Sequence, residues 1–179
     1  TFANYGKKVD INPLIEVKDQ KKKTLYSNPC YKNNECDSKE VLDPGIAFLI
    51  NDILSDNNAR SLAFGYNSLL NIPNQQVAVK TGTSNDLRDN WCIGYTPNIV
   101  IAAWVGNNDN SPMSQVASGV TGATPIWHDL ILSQIKDQQK ISWEKPNNVI
   151  EKKVCRQTGT LPCPGCPQTV NEYFLAGSQ

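Results

Sequence analysis

Two hydrophobic periods alternate along this chain. After Asp43, the residues Ile46, Leu49, Ile50, Ile53 and Leu54 recur at helical spacing, which predicts an amphipathic helix with those side chains on its buried face. Asp43 can accept from the first free N–H groups, and Pro44 suits the first turn. The polar run Ser55-Asp56-Asn57-Asn58 ends that helix, and a short helix is expected within 60–74. Thr124-Pro125 opens another, in which Trp127, Leu130, Ile131 and Ile135 share one face suited to packing on a sheet.

Between these helices the pattern changes to strands. Val77–Thr83 is the first, Asn90–Tyr95 the second and Ile99–Val105 the third. The third is apolar throughout, which predicts a central strand covered on both faces. Pro97-Asn98 is too short a connection for anything but an antiparallel neighbour. Upstream, Leu14–Val17 and Thr24–Tyr26 flank the polar Asp19–Lys23 and predict a β-hairpin. Thr1–Gly6 reads as the end of a helix stopped by Gly6. Residues 27–40 and Asn107–Gly122 read as polar surface loops. The fold class is α/β in the mixed α+β sense, an antiparallel sheet flanked by helices. After Lys140 prolines, cysteines and glycines take over, so 1–140 reads as one unit and 141–179 as a tail or small appendage.

Composition narrows the function classes. The 179 residues carry 17 basic and 17 acidic side chains and no formal net charge, so no charge excess points to nucleic acid or a membrane surface. Lys21-Lys22-Lys23 fits a solvated hairpin tip. No stretch reaches the roughly 18 apolar residues that span a bilayer, and no signal peptide is visible. Thr1 reads as a position inside a domain, which leaves room for an anchor or targeting segment upstream. Six cysteines stand at 30, 36, 92, 155, 163 and 166. Cys155, Cys163 and Cys166 could contribute to a zinc site, but His128 is the only histidine and a fourth ligand would be remote. Disulfides are favoured, with Cys30 and Cys36 able to close a small loop, and Cys92 reads as a buried free thiol.

Candidate chemistry gathers at Lys80-Thr81-Gly82-Thr83, the end of the first strand. Lys80 brings a cation on a long stem, and Thr81 and Thr83, two apart, face one side. Gly82 removes a side chain where another backbone could approach. This set suits a peptide that ends in a carboxylate; the bland alternative is a strand end entering a turn.

The order of further motifs shifts the balance between those two. Val79–Asp86, Asp89-Asn90-Trp91-Cys92-Ile93-Gly94-Tyr95-Thr96-Pro97, Ala103-Trp104-Val105-Gly106-Asn107 and Ala123-Thr124-Pro125-Ile126-Trp127 follow one another. Thr1-Phe2-Ala3-Asn4-Tyr5-Gly6 precedes them, and Cys155–Gly159 with Cys166-Pro167 closes the chain. The set resembles the C-terminal half of the transpeptidase domain of class A, bifunctional penicillin-binding proteins, with Tyr5 replacing a glycine of that family's pattern. The resemblance implies a penicillin-binding transpeptidase-like fold, incomplete in this chain. It implies a serine-type D,D-transpeptidase acting on D-Ala-D-Ala stem peptides and acylated by β-lactams. No cofactor or metal is implied. The expected setting is the extracytoplasmic, periplasmic face of the cell membrane, with the upstream half of the domain as partner. A membrane anchor and a glycosyltransferase domain are expected further upstream.

By the same resemblance, Lys80 supplies positive charge beside the serine-lysine pair. The Thr81 and Thr83 hydroxyls bind the substrate carboxylate. The Thr83 backbone N–H donates in the oxyanion hole, and Gly82 leaves room for the incoming peptide. The nucleophilic serine is not found. Ser133-Gln134-Ile135-Lys136 has the spacing of the serine motif but follows Lys80 instead of preceding it. Ser55-Asp56-Asn57 matches the second motif but fits a helix end. His128 has no partners for a Ser-His-Asp arrangement. A non-catalytic binding or regulatory module of the same fold, and a serine β-lactamase or carboxypeptidase relative, remain as alternatives.

Overall fold

The computed structural model describes residues 1–33, 36–113, 120–136 and 139–178. Part of the predicted 107–122 loop lies outside these described residues. Gly6 stops no helix here, because residues 2–6 form turns only. Gly6 adopts φ 84°, and an added Cβ would lie 2.0 Å from the Leu42 carbonyl oxygen, so close backbone approach demands glycine. Two small antiparallel pairs follow: β1 (Lys7–Val9) with β4 (Ser38–Glu40), and the predicted hairpin of β2 (Glu16–Lys18) and β3 (Thr24–Ser27). Asp19 holds the hairpin tip by accepting from the N–H groups of Lys21 and Lys23. The expected loop at 27–40 contains a short helix, α1 (Pro29–Asn33), and Cys30 is disulfide-bonded to Cys36.

α2 (Pro44–Ser55) starts as predicted. The Asp43 carboxylate accepts from the N–H groups of Gly45 and Ile46 and from the Asn148 side chain. The Asn148 hydrogen bond, reinforced by those backbone donors, holds the Asp43 carboxyl below its ordinary pKa. The predicted buried stripe is corrected. Ala47, Phe48 and Asn51 are buried, whereas Ile46 and Ile53 are exposed and Leu49, Ile50 and Leu54 are half-buried. The helix is apolar on two sides, and packing chose the side with Phe48. Asp56 ends α2 and caps α3 (Asn57–Phe64) by accepting from Asn58 and Ala59.

The principal sheet is β5 (Ala78–Thr83), β6 (Asp89–Tyr95) and β7 (Val100–Gly106), antiparallel in that order. The Thr96 hydroxyl stabilises the tight β6–β7 turn by accepting from the N–H groups of Asn98 and Ile99. Among the described residues β7 is an outer strand, not the expected central one, and β6 takes the centre. α4 (Ala123–Ile135) lies across one face of the sheet. Trp127, Ile131 and Ile135 pack there on Val77, Val79, Cys92 and Ala103. Leu130, predicted on the packed face, is exposed. The Trp127 ring presses so close to β6 that a Cβ on Gly94 would meet it at 2.3 Å.

The last segment forms a hairpin of β8 (Val149–Cys155) and β9 (Thr169–Leu175). A second core joins it to α2 and to one end of the sheet through Phe48, Ala78, Tyr95, Trp143 and Val149. Phe48 meets Tyr173 edge-on, ring centroids 5.2 Å apart. Two half-buried bonds, from an amide and an indole, tie the N-terminal residues to this core. Asn51 donates to the Phe2 carbonyl and accepts from the Tyr95 hydroxyl, and the Trp143 indole donates to the Ala3 carbonyl. Cys155 is bonded to Cys166, which removes two thiols from the zinc alternative; Cys163 is free and exposed. Cys92 is a buried free thiol, and burial pushes its pKa up.

Candidate functional site

The Lys80–Thr83 end of β5 stands at an open edge. β6 pairs with one side of β5, and no strand among the described residues pairs with the other. The ladder tells which backbone groups are free. The Ser84 N–H donates to the Asp89 carbonyl at 2.9 Å, so that pair is hydrogen-bonded. Antiparallel ladders alternate, so with the register Thr83↔Asn90 and Thr81↔Cys92, the N–H and C=O groups of Thr81 and Thr83 point away from β6. Two peptide donors thus face outward at the edge, one residue pair apart. The Lys80 ammonium donates to the outward Thr81 carbonyl.

The side chains divide by parity. Val77 and Val79 enter the α4 core, so Thr81 and Thr83 lie on that side of the sheet and Lys80 and Gly82 on the other. Thr83 is exposed and Thr81 half-buried. A Cβ at Gly82 would meet only the Trp91 Cβ, at 3.9 Å, so nothing among the described residues requires glycine there; the space lies open beside the strand. A hollow of 130 Å³ adjoins Lys80 and Thr81, lined by Ile53, Leu54, Phe64 and Val79. A larger cavity, 480 Å³, lies elsewhere, between α2 and β9, and is lined by Asp52, Asp56 and Glu172 among others.

Asn90 escaped notice in the sequence. It is fully buried, and its side chain bonds both the Thr83 hydroxyl and the N-terminus of α4. The available signal was an amide in phase with Cys92 and Gly94, on the buried parity of an apolar strand. The two look-alike motifs are engaged in local bonds. Ser133 donates to the Leu130 carbonyl within α4, and Ser55 donates to the Asp52 carbonyl at the end of α2. His128 lies 3.6 Å from the neighbouring Asp129 carboxylate.

A three-stranded antiparallel sheet with α4 across one face, α2 on one end of the other and Lys-Thr-Gly-Thr at a free edge makes a mixed α/β fold similar to the penicillin-binding transpeptidase type. The resemblance to the C-terminal half of that domain holds along nearly the whole chain. The family described as penicillin-binding protein 1A, C-terminal domain, matches residues 145–179. Penicillin-binding protein 1A of Rickettsia typhi is 30% identical over 97% of this chain and 23% of its own length. Penicillin-binding protein 1A of Clostridium botulinum (strain Langeland) is 30% identical over 99% of this chain and 21% of its own length. The crystal structure of penicillin-binding protein 1A from Haemophilus influenzae superposes with a TM-score of 0.81 at 22% identity, over 99% of this chain and 31% of that one. The chain therefore spans about a quarter of the length of the curated relatives it matches.

Proposed function

We propose that this chain is the part of a serine-type D,D-transpeptidase that binds the substrate carboxylate and supplies one oxyanion donor. The observation that carries the reading is the free edge of β5, where the Thr83 N–H points outward beside Lys80 and an unobstructed Gly82. A stem peptide ending in D-Ala-D-Ala adds along that edge as an extra strand. The Thr81 and Thr83 hydroxyls and the Lys80 charge address its carboxylate. A serine from the upstream half of the domain attacks the penultimate carbonyl, and the Thr83 N–H donates to the oxyanion that forms. D-Ala departs, and an amine of a neighbouring peptide takes the acyl group from serine. A β-lactam acylates the same serine. Loss of one oxyanion donor typically slows such a step by about 100- to 1,000-fold.

The same reading places residues 1–140 in the transpeptidase domain and 141–179 in a small appendage. It places the whole on the extracytoplasmic side of a bacterial membrane, anchored from upstream. The sheet face opposite α4 supports the need for an upstream partner. Trp91, Ile93 and Trp104 are each 41–42% exposed on it, beside Lys80, and a patch of that kind marks a docking surface.

Labelling with a fluorescent penicillin, followed by a denaturing gel, tests the proposal on this chain alone and with its upstream sequence restored. Labelling only of the longer polypeptide is expected. Labelling of this chain alone would move the nucleophile into it and bring Ser133 forward. No labelling of either would favour a non-catalytic module of the same fold. Rapid turnover of the label in the longer polypeptide would favour a β-lactamase or carboxypeptidase relative.

A further inference from the structure

The Thr83 hydroxyl is held in one polarity by a buried amide. Asn90 sits opposite Thr83 on β6 with 0% of its surface exposed. Its Oδ1 accepts at 2.6 Å from the backbone N–H of Ala123, the first residue of α4. A peptide N–H can only donate, so this bond fixes which amide atom faces α4. The NH2 group must then face Thr83, and Nδ2 lies 3.1 Å from Thr83 Oγ1. An amide NH2 can only donate, so the Thr83 oxygen is the acceptor. Its single proton is left to be given elsewhere, and Thr83 is exposed.

We propose that Asn90 is a positioning residue that makes the Thr83 hydroxyl a committed donor toward an acceptor-only ligand group, the terminal carboxylate of a peptide or β-lactam. This rests on the carboxylate-binding role proposed above for Thr83. A freely rotating hydroxyl serves donors and acceptors alike. One whose lone pair is already engaged turns donors such as an amide NH2 away, and the bond it gives is stronger to a charged carboxylate than to a neutral ester carbonyl. The chain of bonds runs from the α4 N-terminus through Asn90 to Thr83, so the helix that buttresses the sheet also orients the site.

The test compares acylation of the longer polypeptide by a fluorescent penicillin and by its methyl ester, in wild type, N90D, N90A, T83V, T83S and the double variant N90D/T83V. N90D is nearly isosteric and keeps an acceptor for Ala123. It replaces the NH2 donor with an acceptor that draws the Thr83 proton inward. Acylation by the carboxylate form should fall about tenfold, as for losing a hydrogen bond to a charged group, while the ester changes far less. T83V should lower the carboxylate rate similarly, N90D should add nothing to it, and T83S should retain most of the preference. An equal slowing of both probes by N90D would overturn the proposal, since a merely structural role does that. So would a further loss of the preference in the double variant. N90A buries no charge and decides the matter if N90D does not fold: an unchanged carboxylate-to-ester ratio in N90A also overturns the proposal. Failure of the wild type to react with either probe would instead remove the proposed function itself, and this inference with it.

Discussion

The two faces of the three-stranded sheet contain similar residue types and have different fates. On the α4 side, Trp127 and Ile131 are wholly buried, and Gly94 exists to admit the indole. On the other side Trp91, Ile93 and Trp104 alternate along β6 and β7 with the buried Asn90, Cys92 and Ala103 and stay half in water. The α4 face is a finished core, whereas the opposite face is closed only at the Ala78–Tyr95 end, against Phe48 and Trp143, and is open at the Lys80 end. The unfinished face carries Lys80, while the finished one carries the amide that orients Thr83. Rigidity and reactivity are thus placed back to back on one strand pair: the packed side fixes the backbone, and the open side and edge are left for a partner or ligand.

The strongest test of that contrast is truncation of one indole on each face. Trp127→Ala should cost about 3–5 kcal/mol, the usual loss for a buried Trp, and leave the chain mostly unfolded in denaturant titrations. Trp91→Ala should cost less than about 1 kcal/mol in this chain. Equal losses would mean that the faces do not differ as drawn. Two glycines provide the next test. Gly94→Ala drives a methyl into Trp127 and should cost about 1–3 kcal/mol as an overpacking change. Gly82→Ala meets only open space and should leave the melting temperature nearly unchanged.

A charge on the open face separates packing from association. The chain alone should associate or unfold partly because of its exposed aromatic patch. Ile93→Lys should reduce concentration-dependent sedimentation without lowering stability by more than about 0.5 kcal/mol. A sharp, cooperative and concentration-independent thermal transition for the unaltered chain would show that the open face needs no cover.

The smallest effect lies off the sheet and serves as a control. Burial, together with the charges of Asp56 and Glu172, raises the Asp52 carboxyl above its ordinary pKa. The native state therefore binds that proton more tightly than the unfolded state. Ionisation costs stability as pH rises from the ordinary carboxylate range through the raised native value. Asp52→Asn should stabilise the chain by about 0.5 kcal/mol at neutral pH, and the gain should vanish below the ordinary carboxylate range. Neither face of the sheet should respond.

Much of this arrangement was legible along the chain. Alternation marked β5, β6 and β7, the Asp43-Pro44 pair marked the start of α2, and Lys80–Thr83 stood out as a polar cluster delivered by a strand. The errors share a cause. A helical period shows that α2 has an apolar stripe, but Ala47-Phe48-Asn51 and Ile46-Ile50-Ile53 are both stripes, and only neighbours select one. The continuous apolar run of β7 suggested cover on both faces, and the structure supplies one face and an edge. Asn90 was invisible because a buried amide and a surface amide are written with the same letter.

Local chemistry along the chain determined which segments are strands and helices, where the caps fall, and that a cation, two hydroxyls and a glycine arrive together at the end of one strand. Those depend on spacing, side-chain reach and backbone freedom, all short-range properties. Only the tertiary structure decided which face of the sheet is closed, which strand is central, which peptide groups of β5 are free, and which way the Thr83 hydroxyl points. Each of these turns on a partner distant in sequence, Trp127 for the face and Ala123 for the amide, and a linear pattern does not specify which distant group arrives.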